Sequence, residues 1–116
     1  MKIDRRQDYL SHIRKAAQNA IDFNQGLLLS DFLADERTQQ ATVMSLLIVG
    51  EAAAKLVNDY PEFTEANAHI PWHSMRGMRN RIAHGYFDID WTVVWQTVQT
   101  ALPDLLDKLV DVRGLK

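Results

Sequence analysis

No cysteine occurs in the 116 residues, which excludes disulfides and every metal site built on thiolates and fits a reducing compartment such as the cytoplasm. Proline and glycine are scarce, at three and five residues, and they fall where they punctuate helices rather than hairpins. No apolar run reaches the roughly 20 residues that a membrane span needs. The longest, ATVMSLLIVGEAAAKLV at 41–57, contains Glu51 and Lys55 and reads as a buried helix. The opening MKIDRRQDYL lacks the apolar core of a secretory signal. A cytoplasmic protein without a membrane partner is the expectation. No repeat, low-complexity tract or linker interrupts the chain, and its length suits one domain, 1–116, burying roughly two-thirds of its unfolded surface.

Acidic residues are missing from one internal stretch. Between Glu65 and Asp88 there is no Asp or Glu, yet Arg76, Arg79, Arg81 and three of the four histidines, His69, His73 and His84, lie there. Formal net charge is −2, so a window at +3 leaves −5 on the remainder (−2 − 3). A global basic field for nucleic acid is excluded. A local anion-seeking patch is what the charge distribution supports.

Apolar spacing supplies the rest of the architecture. Leu10, Ile13, Ala17, Ala20 and Ile21 form a helical stripe, predicting a first helix over about 4–24 with Gly26 beyond its end. Ser30 or Asp31 suits the cap of a short turn, and Asp35 the start of a second long helix over about 35–59, apolar on most sides from Ala41 to Val57. The segment EFTEANAHIP reads as a connector. Pro71 suits the first turn of a third helix, about 71–84, with Met75, Met78 and Ile82 inward and Gly85 as its stop. Asp88 or Asp90 caps a last helix, about 90–112, with Val94, Val98, Ala101, Leu105 and Leu109 inward and Pro103 kinking or dividing it. Period-two alternation is lacking throughout, so the fold class is all-α, a bundle of four or five helices.

Several residues that invite a role have a plainer explanation. His69 and His73 are four apart, but Pro71 lies between them and no Glu follows in the zinc-protease spacing, so neither a metal nor another cofactor is expected. Asp88 and Asp90, just before WTVVW, read as helix caps rather than a magnesium pair. His12 sits among polar neighbours and needs no role. Trp72, Trp91 and Trp95 read as core more readily than as base-stacking platforms. Glu51 differs, because a carboxylate inside an apolar run must find a partner or take up a proton. Lys55, one turn on, and an arginine of the basic window are both available to it.

The stretch MRNRIAHGYFDIDW, 78–91, concentrates the remaining chemistry. Cleaving RNA without a metal requires a base for the 2′-hydroxyl, an acid for the leaving 5′-oxygen and a cation for charge on the phosphorus oxygens. Histidine, with an ordinary pKa of about 6.5, serves as base or acid near neutrality. Arginine presents a planar charged fork to phosphate. Arg79 and His84 are five residues apart, however, which on a continuous helix separates them by about 140° around the axis. Two arrangements reunite them: the chain ends its helix at Gly85, so that His84 and Tyr86 fold back over the last turn, or two copies meet about a two-fold axis and Arg79 of one approaches His84 of the other. The plain alternative is a basic, solvated helix end that complements the helix dipole.

Arg79, four residues, His84, one residue and Tyr86 resemble the R-x4-H-x-Y motif of HepT-like toxins in the HEPN superfamily. The surrounding IVGEAAAKL, IPWHSMRGMRNRIAHGYFDIDW and ALPDLL are similar to that family's segments in the same order, so the resemblance covers most of the chain. It implies an up-down HEPN-like bundle and a metal-independent endoribonuclease toxin, acting as a homodimer whose two motifs line one cleft. Arg79 and His84 match the catalytic pair and Asn80 the polar position after the arginine, with Arg76 adding charge from the same window. Glu51 matches a glutamate usual in the second long helix. Tyr86 matches the tyrosine that an MntA-type nucleotidyltransferase antitoxin modifies with AMP, a step that adds bulk and negative charge beside an anion-binding cleft. RNA and this antitoxin, in a type VII-like pair, are the implied partners. Two other readings stand beside it: a noncatalytic helical subunit that presents substrate to a nucleotidyltransferase, and a structural dimerisation bundle. An intact Arg79, His84 and Tyr86 favours the enzyme, since neither alternative has a chemical need for all three.

Overall fold

The computed structural model describes residues 3–115, and among these no strand occurs. Four long helical stretches carry the bundle: α1 (Arg6–Phe23), α3 (Glu36–Asp59), α5 (Trp72–His84) and a rod made of α6 (Trp91–Gln96), a π turn (Thr97–Ala101) and α7 (Leu102–Leu109). Two short helices, α2 (Leu29–Leu33) and α4 (Pro61–Ala66), and a 3-10 turn (Tyr86–Asp88) fill the corners. The predicted all-α bundle is the fold observed. The connector read at 62–71 is corrected in part: Pro61 stands at the first position of α4, where its missing N–H costs nothing and its fixed φ favours a helical turn.

Helix α3 lies between α1 and α5, and α1 in turn packs on the π turn and α7. Two hydrogen bonds set α1 and α3 antiparallel. Asn24, just beyond the end of α1, donates to Thr42 Oγ1 early in α3 (2.9 Å), while the hydroxyl of Tyr60, just beyond α3, accepts from the N–H of Arg5 (2.9 Å). Arg14 Nη2 donates to the Leu109 carbonyl at the end of α7 (3.1 Å) and Arg6 Nη1 to the Gly114 carbonyl (2.6 Å), so the chain from the end of α7 onward runs antiparallel to α1. Fully buried Asn67 bonds both the carbonyl and the N–H of Arg113, anchoring the C-terminal segment against α4. The core includes Leu10, Ile13, Leu46, Leu56 and Leu109 from the expected helices, together with Ile70 from the segment read as a connector. Each such side chain contributes about 1.5–3 kcal/mol on burial.

By length and composition alone α3 could cross a membrane, with a mean hydropathy of 1.4 over its most apolar window, but 56% of that window is buried inside the bundle. It is a core helix. The rod 91–109 departs from expectation in register: Leu102 is buried and Ala101 is exposed. Pro103 lacks an N–H and would clash with the carbonyl four residues before it. The π turn ahead of it absorbs that conflict and rotates Leu102 inward.

Two helices start at caps the sequence indicates, whereas α2 begins before the expected Ser30 or Asp31, with Leu28 at its cap position and Asp31 inside the helix accepting from the N–H of Leu28 (2.9 Å). Asp90 accepts from the N–H groups of Thr92 and Val93, and Asp88 lies in the 3-10 turn instead. Asp35 accepts from the backbone N–H of Thr38 (3.0 Å) and from its hydroxyl (2.6 Å). These bonds, the hydroxyl's first, hold the Asp35 carboxyl below its ordinary value of 3.8. A lowered folded pKa contributes stability that is present above the ordinary value and is lost as pH falls through the folded one. Asp35→Ala is therefore expected to unfold at lower urea than the parent at about pH 7, with the gap closing towards about pH 2. A pH-independent gap in urea titrations would show that the charge of Asp35 contributes nothing.

Candidate active site

The site begins with a glycine in the middle of α3. A Cβ built on Gly50 would fall on the Cβ of Arg79 and lie 2.7 Å from the backbone carbonyl of Met75. Only glycine allows α5 this close to α3. The aliphatic stem of Arg79 therefore crosses α3 at Gly50, and its Nη1 donates to Oε1 of Glu51, the next residue, at 3.1 Å. Arg79 is half-buried with 28% of its side chain exposed, and its Nε is buried without an acceptor.

Between the two partners left open for Glu51, the structure selects the arginine. The premise of burial is corrected, since 56% of the Glu51 side chain is exposed. Met44, Ile48, Glu51 and Lys55 form one exposed stripe along α3, and the helix is apolar on its other sides because α1 and α5 both pack there. An ion pair this exposed contributes little to stability. Its effect is to orient the Arg79 guanidinium.

That guanidinium lies in a groove of about 580 Å³ between α1 and α3, with Tyr9, His12, Leu47, Ile48 and Lys55 among its walls. His12, assigned no role from sequence, lines the same groove as Arg79. Its Nε2 is 3.6 Å from Oδ1 of Asp8, and Asp8 is held by Arg5 Nη2 at 2.7 Å. The hydrogen bond from Arg5 keeps the Asp8 carboxyl below its usual range. Nothing in the local sequence announces His12, because the groove it lines is completed by residues of other helices.

His84 is the last residue of α5, and the N–H of Gly85 closes the final turn on the Arg81 carbonyl (3.0 Å). The first of the two arrangements above is thereby corrected for His84, which is still helical and does not fold back. Arg79 and His84 remain about 140° apart around the axis and about 7.5 Å apart along it. Asn80 and His84, four apart and both exposed, do share a face. Arg76 is half-buried on α5 with its Nη2 3.2 Å from Nδ1 of His73. One chain thus joins Arg79 to Glu51 and aligns Asn80 with His84, without bringing the two pairs together.

Tyr86 leaves the helix in the 3-10 turn and is 40% exposed. Its ring meets those of Phe87 (6.0 Å) and Trp91 (6.3 Å) edge-on, and Trp91 meets fully buried Phe32 in the same way (6.3 Å). This aromatic column leads from core to surface, and it accounts for Trp91 as a packing residue. Trp72 is core as expected, donating its Nε1–H to the carbonyls of Thr64 and Asn67. Tyr86 lines a cavity with Glu36, Gln39 and Gln40 at the start of α3. Gln40 and Glu51 are separated by about 16 Å along that helix, so Tyr86 sits well away from the Arg79 groove of its own chain. Phe87, singled out by no sequence pattern, is 98% exposed.

Residues 9–112 match the family described as ribonuclease HepT-like. The chain is 36% identical over 107 residues to "Probable ribonuclease HepT" of Thermococcus cleftensis, covering 92% of this chain and 94% of that protein. It is 32% identical over 104 residues to "Putative RNase TTE0752" of Caldanaerobacter subterraneus subsp. tengcongensis, covering 90% of each. No solved structure gives a significant match.

Substituting Gly50 tests the crossing. In an ordinary helix interior Gly→Ala gains about 1 kcal/mol, whereas overpacking costs about 1–3 kcal/mol. Gly50→Ala is expected to lose the usual gain and to destabilise by up to about 2 kcal/mol in urea unfolding. A stabilised Gly50→Ala protein would disprove the close approach.

Proposed function

This chain belongs to the HepT-like ribonuclease family, and from that premise we propose that it is a metal-independent endoribonuclease toxin of the cytoplasm, acting as a homodimer and restrained by a nucleotidyltransferase antitoxin. The observation that carries the reading is Arg79, whose guanidinium is oriented by Glu51 at 3.1 Å yet remains partly exposed. It is a fork held ready for phosphate.

In the proposed reaction the 2′-oxygen of one nucleotide attacks the adjacent phosphorus and gives its proton to a neutral imidazole. The P–O5′ bond breaks, and the 5′-oxygen takes a proton from an imidazolium, leaving a 2′,3′-cyclic phosphate and a 5′-hydroxyl. His84 supplies the imidazole, and Arg79 stabilises the charge that builds on the non-bridging oxygens. The 140° between the two is bridged by a two-fold pairing of copies, so that Arg79 of one protomer faces His84 of the other. Asn80, on the face of His84, contacts the same phosphate, Glu51 positions Arg79, and Arg76 adds positive charge nearby. This pairing also supplies two copies of His84 to one cleft, one for each proton transfer.

Tyr86 is the proposed point of control. Its phenolic oxygen attacks the α-phosphorus of ATP on an MntA-type partner, and pyrophosphate leaves. The bound AMP adds bulk and a negative charge two residues from His84, which repels RNA. Exposure of Tyr86 and bracing of its ring by Trp91 and Phe87 support this assignment.

Purified wild type, His84→Ala and Glu51→Gln proteins, assayed on RNA in EDTA without a partner, test the catalytic part. Wild type is expected to cleave, His84→Ala to lose about 100-fold or more, and Glu51→Gln to lose about tenfold with unchanged urea midpoint. Equal rates for wild type and His84→Ala would remove the catalytic claim. For the regulatory part, intact-mass spectrometry after incubation with ATP and the candidate nucleotidyltransferase should reveal AMP on the wild type and none on Tyr86→Phe. An adduct that persists in Tyr86→Phe would refute the assignment.

A further inference from the structure

We infer that the groove between α1 and α3 is a nucleoside subsite of the RNA-cleaving centre, receiving the base and ribose next to the phosphate that Arg79 binds. The inference rests on the ribonuclease reading, since it takes Arg79 as the phosphate ligand. Any RNA phosphate at Arg79 brings its neighbouring nucleoside within reach of the groove that this guanidinium enters. At about 580 Å³ the groove lies within the size range of small-ligand pockets. Its makeup also suits a nucleoside. Tyr9, Leu47, Ile48 and Ala52 form an apolar wall, and Arg79, Lys55, His12 and Glu51 provide a few convergent polar groups.

Two further observations favour RNA as the occupant. Charge is complementary, because Arg79 and Lys55 face a single carboxylate, Glu51, already bonded to Arg79, while nearby Asp8 is tied to Arg5. One wall residue is also held in place: the Arg5 guanidinium lies 5.0 Å from the centre of the Tyr9 ring, a cation–π contact that favours one ring orientation for a base to pack against. Ile48, an aliphatic side chain 41% exposed in this groove, would be covered by the bound nucleoside.

The test uses full-length protein in EDTA. Binding of a mixed-sequence single-stranded RNA hexamer is measured by fluorescence anisotropy in a His84→Ala background, and KM and kcat are measured with His84 intact. Ile48→Glu and His12→Ala change exposed positions, and Met44→Glu, 58% exposed and outside the groove, is the control. Ile48→Glu is expected to raise Kd and KM about tenfold and His12→Ala about threefold, with kcat within about twofold and Met44→Glu unchanged. Unchanged Kd in both groove variants, or a loss confined to kcat, would overturn the subsite. So would Ile48→Glu halving the mass seen by light scattering while His12→Ala leaves binding intact, because the groove would then be an interface between copies. If the wild type binds the hexamer but never cleaves RNA, the ribonuclease reading fails, and the Kd values alone decide whether the groove holds a nucleoside.

Discussion

The close approach of α3 and α5 at Gly50 is the contact from which the rest of the site follows. A glycine in a helix interior costs about 1 kcal/mol against alanine, and here that cost is offset by letting one helix rest on the backbone of the next. With any side chain at position 50, α5 would stand further off, and the stem of Arg79 could not pass over α3. Because it does pass, a residue of α5 has its charged end in a groove between α1 and α3. Glu51 follows Gly50 directly, so the residue that permits the crossing stands beside the residue that receives the guanidinium. The arginine also bears a cost at this crossing, since its Nε is buried without an acceptor.

Helix α5 divides its duties by phase. Trp72, Met75 and Ile82 face the core, Arg79 lies within that face against Gly50 and reaches across α3, and Asn80 and His84 look outward. A helix running unbroken to its last residue cannot reconcile these directions, so the proposed reaction draws its two principal groups from two copies. The turn after Gly85 is held differently. Phe32, Trp91, Tyr86 and Phe87 meet ring edge to ring face in sequence, so an exposed tyrosine is braced from the core. Tyr86 can be accessible without being mobile, which suits a residue proposed as a point of modification.

Much of the architecture was legible because burial imposes periodicity. The stripes of α1, α3 and α5 each face another helix, and repeats of three and four residues record that. Where the sequence misled, a local rule met a competing one. The change from Ala101 to Leu102 reflects Pro103, whose missing donor is accommodated by a π turn that shifts the inward face by one residue. The polar connector after Tyr60 forms a helical turn because Pro61 is well placed to start one. Glu51 seemed buried because apolar neighbours on two packed faces of α3 disguise a narrow solvent-facing stripe.

The sequence by itself determined the helical class, the cap at Asp35, a second cap at Asp88 or Asp90, the basic window free of carboxylates and the motif from Arg79 to Tyr86, because each is written in neighbouring residues and in the 3.6-residue period. Tertiary structure alone decided that Glu51 pairs with Arg79 rather than Lys55, that His12 shares the Arg79 groove, and that Phe87 stands exposed. These outcomes depend on how closely helices distant in sequence approach one another. Neither spacing nor composition encodes that distance; the small volume of Gly50 and the packing around it do.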